Sequence, residues 1–67
     1  MKITLLGDGD FEIRVGDAVA YGSDLDLSGN EPVYSLIHAP TQEWFARCAR
    51  ELDRATPQDL RRCVCRS

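Results

Sequence analysis

At 67 residues, 43% of them hydrophobic, the chain is one domain and too rich in apolar residues for a disordered segment. No run approaches the ~18 apolar residues of a membrane span. The net charge of −3 lacks the basic excess usual in nucleic-acid binders, and a chain this short buries only about 60% of the surface its unfolded form exposes, so a partner or a self-associated form is expected.

Lys2–Leu6 (KITLL) reads as a first strand, and Gly7-Asp8-Gly9-Asp10 is a strong turn signal after it. Phe11 to Val15 alternates, with Phe11, Ile13 and Val15 on one face and Glu12 and Arg14 on a wet one. Gly16-Asp17 is a second tight turn. Ala18 to Leu27 continues the pattern. Val19, Tyr21, Leu25 and Leu27 share a parity, Asp24 and Asp26 oppose them, and Gly22-Ser23 bends or bulges the strand. After the turn at residues 28–32, Val33–His38 (VYSLIH) is the most apolar strand and is expected beside a helix.

Pro40–Ala55 is the segment around which the rest is organised. At helical spacing Trp44, Phe45, Cys48, Ala49, Leu52 and Ala55 form an apolar stripe about 140° wide, with Glu43, Arg47, Arg50 and Arg54 opposite. Thr41 suits the N-cap, Glu43 the first turn and Arg54 the last. Thr56-Pro57-Gln58-Asp59 opens a second, short helix with a capping-box acid, and Leu60, Cys63 and Val64 form its narrow apolar face. The expected fold is α+β: an antiparallel meander of three to four strands over residues 2–38, followed by helices over about 41–55 and 57–65.

Charge is polarised. Residues 1–31 hold Asp8, Asp10, Glu12, Asp17, Asp24, Asp26 and Glu31 against Lys2 and Arg14, whereas residues 32–67 hold Arg47, Arg50, Arg54, Arg61, Arg62 and Arg66 against Glu43, Glu51, Asp53 and Asp59. Such asymmetry points to charged partners. The start of the chain, MKITLLGDGD, lacks the apolar stretch and cleavage site of a secretory signal. Three cysteines, Cys48, Cys63 and Cys65, make a poor disulfide framework. A cytoplasmic protein with reduced thiols is expected.

Motifs for chemistry are weak. Asp24-x-Asp26-x-Ser28-Gly29 resembles the first half of an EF-hand loop, which implies calcium. The twelfth position, however, is Ser35 where that family uses a bidentate Glu, and the flanks read as strands, so a solvated strand end is the better reading. Cys63-x-Cys65 has the wrong spacing for zinc pairs, and buried inert thiols at Cys48 and Cys63 are preferred. His38 with Cys48 has no spacing that supports a nucleophile, and so short a chain leaves little room for a pocket of ~300 Å³. No enzyme, metal or cofactor is expected. Val15-Gly16-Asp17-Ala18-Val19 resembles the V-G-D-x-V turn of some SH3-like barrels, though the helical second half departs from that fold.

The chain therefore reads as a small protein-interaction module, an inhibitor or adaptor that occupies a surface of a larger protein, one that itself holds nucleic acid being a natural target for the acidic edge. In size and acidity it is similar to phage and mobile-element anti-defence inhibitors such as anti-CRISPR proteins. Asp24, Asp26, Tyr34, Arg47, Arg50 and Arg54 are the candidate contact residues. A homodimer through one sheet edge is a further expectation. The alternative is a nucleic-acid-associated regulator that uses the helical arginines.

Overall fold

The computed structural model describes residues 1–65, and side chains through residue 64. Four antiparallel strands, β1 (Lys2–Gly7), β2 (Asp10–Val15), β3 (Ala18–Asp26) and β4 (Val33–His38), are followed by α1 (Gln42–Arg54), α2 (Pro57–Cys63) and a two-residue strand β5 (Val64–Cys65). The sheet order is β4-β3-β2-β1-β5. The α+β meander therefore forms as its sequence pattern requires. The second helix stops at Cys63, and Val64, expected on its apolar face, caps it and pairs parallel with Ile3 of β1.

Local chemistry sets these boundaries. In the β1–β2 turn Gly7, Asp8 and Gly9 all take positive φ, which only glycine and, to a lesser degree, Asp or Asn accept readily. The Thr41 hydroxyl accepts from the Trp44 N–H at 3.1 Å and starts α1. Thr56 and Asp59 complete a reciprocal capping box at 3.1 and 3.3 Å, with Pro57 in the first turn of α2.

Both helices pack on one face of the sheet. Ile3, Phe11, Ile13, Ala18, Ala20, Cys48, Leu52 and Leu60 form the buried core. On α1, Cys48 and Leu52 are fully buried and Trp44 packs against that core, as does Ala55 at the C-cap; Phe45 and Ala49 are half-buried. Two expectations are corrected. In β3 it is Ala18, Ala20 and Gly22 that face the helices, while Tyr21 is turned to solvent. The irregularity between Ser23 and Asp26, with Asp24 at φ 58°, adds a residue and reverses the alternation. Leu25 and Leu27 consequently turn to the core side, so the parity expected to be common to Val19, Tyr21, Leu25 and Leu27 is broken. The second correction concerns β4. Despite its apolar sequence it is an edge strand, and α1 lies chiefly across β3. Tyr34 and Leu36 turn inward, whereas Val33 and Ile37 are 58% and 64% exposed.

Candidate functional site

No element among the described residues covers the sheet face away from the helices. Register across the four main strands places Thr4 beside Glu12, Glu12 beside Tyr21, and Tyr21 beside His38. Alternation from the buried Ile3, Phe11, Ile13, Ala20 and Gly22 turns Thr4, Glu12 and Tyr21 outward, and the irregularity between Tyr21 and Gly22 sets His38 beside Tyr21. The Tyr21 and His38 rings stack, with centroids 6.3 Å apart and planes 17° from parallel. The Arg14 Nε–H donates to Glu12 Oε1 at 2.6 Å, and the Glu12 side chain is only 18% exposed. That hydrogen bond, with the charge of Glu12, holds the Arg14 guanidinium above its ordinary pKa. The face thus carries a stacked aromatic pair and an ion pair. Alternating parity predicts which side chains share this face, but the register that lines them up is a long-range property with no local signal.

The six candidate contact residues are divided among three places. Tyr34 and Arg54 meet at an open cleft of about 460 Å³ between the loop before β4 and the α1–α2 junction, where Glu31, Asp53 and Thr56 also line the wall. A cleft this size exceeds what the chain length suggested. Arg47 and Arg50 lie on exposed positions of α1. Arg47 reaches Glu43 at 3.5 Å, and Arg54 lies 3.9 Å from Glu51; Arg50 has no ion pair among the described residues. Asp24 and Asp26 sit at the far end of β3, where the Leu25 N–H donates to the Gly9 carbonyl at 3.4 Å and brings the β1–β2 turn, with Asp8 and Asp10, alongside. No hydrogen bond or ion pair among the described residues joins these acids to the arginines of α1. Arg66 lies outside the described residues.

Asp26 is engaged locally. Its Oδ1 accepts from the Ser28 hydroxyl at 2.6 Å and the Ser28 N–H at 2.9 Å, which hold the carboxyl below its ordinary pKa. The aspartate thus closes a turn, the role Asx residues commonly play after a strand. Among the described residues no group of three or more His, Cys, Asp or Glu could hold a metal. Burial pushes the Cys48 thiol up, which disfavours the reactive thiolate. The side chain of Cys65 lies outside the described set. Arg61 Nη1 donates to the Leu27 carbonyl and so ties α2 to the end of β3.

Tyr34 is the candidate residue with the strongest tertiary bond. Its hydroxyl donates to Asp53 Oδ1 at 2.6 Å and links edge strand to helix. Burial, and then the Asp53 carboxylate, push the phenol up to about 12. The unfolded phenol titrates near 10, so the neutral form is favoured by folding. Its contribution is fully present below pH ~10 and is lost as pH rises from there through about 12. Thermal melts across that alkaline range should therefore fall more steeply for the parent than for Tyr34→Phe. Parallel slopes would mean that Tyr34 is neither buried nor bonded to Asp53.

No helix among the described residues is long and apolar enough to cross a membrane. No family model, curated protein or solved structure matches the chain.

Proposed function

We propose that the protein is a non-enzymatic interaction module that occupies a surface of a larger cytoplasmic protein, as an inhibitor or adaptor of the anti-defence kind. The observation that carries this reading is the sheet face that no described element covers, with its Thr4–Glu12–Tyr21–His38 row, stacked rings and ion-paired Arg14. Tyr and Arg are enriched among residues that dominate binding energy. Side chains already ordered by a ring stack and an ion pair lose less freedom on docking. The Asp8, Asp10, Asp24 and Asp26 end supplies the steering charge for a basic partner surface. The helical arginines support the nucleic-acid reading less, since Arg47 and Arg54 each lie near a glutamate on their own helix.

The test is capture from the native host with photo-crosslinking from Lys2, a neighbour of Arg14 in the register, then affinity measurement with the protein identified. Tyr21→Ala is expected to weaken binding about 30-fold, the loss of a 2 kcal/mol hot spot, measured at a temperature where circular dichroism shows the variant folded, with Gln58→Ala as a neutral control. If nucleic acid alone is recovered, and its binding falls steeply with salt, the regulator reading replaces this one.

A further inference from the structure

The cleft between the loop before β4 and the α1–α2 junction has walls poor in donors and rich in acceptors. Pro32 and Pro57 stand in those walls and have no N–H to give. The Tyr34 hydroxyl donates to Asp53 Oδ1 at 2.6 Å. The Ala55 N–H donates to the Leu52 carbonyl at 3.3 Å, and the Thr56 N–H to Asp59 Oδ2 at 3.3 Å. These donors are absent or engaged within the chain.

Acceptors are left over. Tyr34 occupies one oxygen of Asp53 and leaves the other. Glu31, on the loop side, has no ion pair among the described residues. The helix adds carbonyls. α1 ends at Ala55 with φ −86° and ψ 145°, not in the left-handed conformation that closes the last turn in common C-caps. Pro57 stands four residues after Asp53, so the N–H that would close on the Asp53 carbonyl is missing. No backbone N–H among the described residues donates to the Arg54 carbonyl either. This end of a helix carries the equivalent of about half a negative charge. Arg54 is the one cation in the wall. Its Nη1 lies 3.9 Å from Glu51, which lines the neighbouring cleft of about 280 Å³ and not this one, so the guanidinium is drawn to that side.

We infer, on the reading of the chain as an interaction module, that this cleft is a socket for an arginine side chain of the larger partner. A guanidinium complements such walls, since it brings five N–H donors and no acceptor. Its planar fork meets a carboxylate through two parallel bonds. The aliphatic stem of an arginine suits Pro32, Ala55 and the Tyr34 ring, which line the same cleft. The volume of about 460 Å³ lies within the ~300–1,000 Å³ of small-ligand pockets. A hard metal ion takes six or more oxygens, and no group of three or more His, Cys, Asp or Glu is assembled among the described residues. The net charge of −3 favours encounter with a partner that presents basic side chains.

The probe is N-acetyl-arginine amide, titrated into the full chain and followed by amide chemical shifts. Saturable shifts at Glu31, Asp53 and Thr56 are expected in the millimolar range, the weak affinity of a single exposed contact. N-acetyl-citrulline amide has the same shape without the charge and should bind at least ~10-fold more weakly, and N-acetyl-lysine amide about 3-fold more weakly. Glu31→Gln and Asp53→Asn, both at exposed positions, should each weaken the arginine probe about 5-fold; an amide oxygen at position 53 still accepts from Tyr34. Asp17→Asn, the same change of charge in the β2–β3 turn, should have no effect. The absence of saturable shifts overturns the inference, as does equal binding of the citrulline or lysine compound. So do equal shifts at the Asp8–Asp10 turn or an equal loss from Asp17→Asn, because the probe would then read net charge alone. With the partner identified, Glu31→Gln combined with Asp53→Asn should weaken the complex about 10-fold, and replacing the docked arginine of the partner in that background should cost nothing further. An unchanged complex overturns the assignment to the partner. The titration needs no partner, so its failure leaves the Tyr21 face standing, and failure of the Tyr21→Ala result leaves the titration standing.

Discussion

Gly22→Ala is expected to remove much of the stability of the domain. Gly22 is buried in β3, paired with Leu36 on one side and Phe11 on the other. A Cβ at this position would stand 2.5 Å from Cζ and 2.7 Å from Cε1 of Phe11, and 2.5 Å from the Ser35 carbonyl oxygen. The ring is fully buried and the carbonyl is backbone, so neither yields cheaply. Overpacking of this kind costs about 1–3 kcal/mol and sometimes more, against a total of about 3–10 kcal/mol for a chain of this length. A melting temperature about 10–20 °C below the parent follows. Phe11→Leu in the Gly22→Ala background should recover only part of the loss, because it relieves the ring and leaves the Ser35 oxygen. A Gly22→Ala protein that melts with the parent would show that β3 and β4 are spaced differently.

The same glycine explains why the sheet was only partly legible in the sequence. Turns and caps are local, and Gly7 to Asp10, Thr41 and Thr56 announced them. The parity of β3 is not local. Val19 and Tyr21 are larger than Ala18 and Ala20 and look like the core set, yet the small residues face inward because Phe11 occupies the space above Gly22. The parity then reverses at Asp24, whose left-handed φ of 58° an aspartate tolerates and whose sequence context does not reveal it. Position within the sheet is equally non-local: VYSLIH has the composition of a central strand and lies at the edge. A two-residue parallel pairing such as β5 with β1 leaves no periodic trace at all. The candidate site inherited these limits. Helical periodicity grouped Arg47, Arg50 and Arg54 on the exposed side of α1, but the helix's azimuth decided that Asp53, not an arginine, would meet Tyr34. The Glu12–Tyr21–His38 row could not be read before the register was known.

Leu52→Ala is the second large effect, and it probes the layer on which the reading of the open face depends. Leu52 is fully buried in the last third of α1 and belongs to the core shared with Leu60 of α2 and with Ile3, Phe11 and Ile13 of the sheet. Truncating a buried leucine costs about 2–5 kcal/mol, part lost transfer energy and part the cavity left behind. Against a total of about 3–10 kcal/mol, that is a large fraction of the stability. Far-ultraviolet circular dichroism should report a melting temperature lower by about 10–25 °C, and the half-buried Trp44, two turns earlier on the same ridge, should show a concerted fluorescence change. Arg50→Ala, at an exposed position of the same helix, should stay within about 0.5 kcal/mol of the parent. The contrast between the two substitutions is the informative quantity. Equal effects would mean that α1 does not seat Leu52 against the sheet, and both sheet faces would then be open. A large difference fixes one face as the floor of the core and leaves the opposite face, with Tyr21, His38 and Arg14, as the surface free to receive a partner.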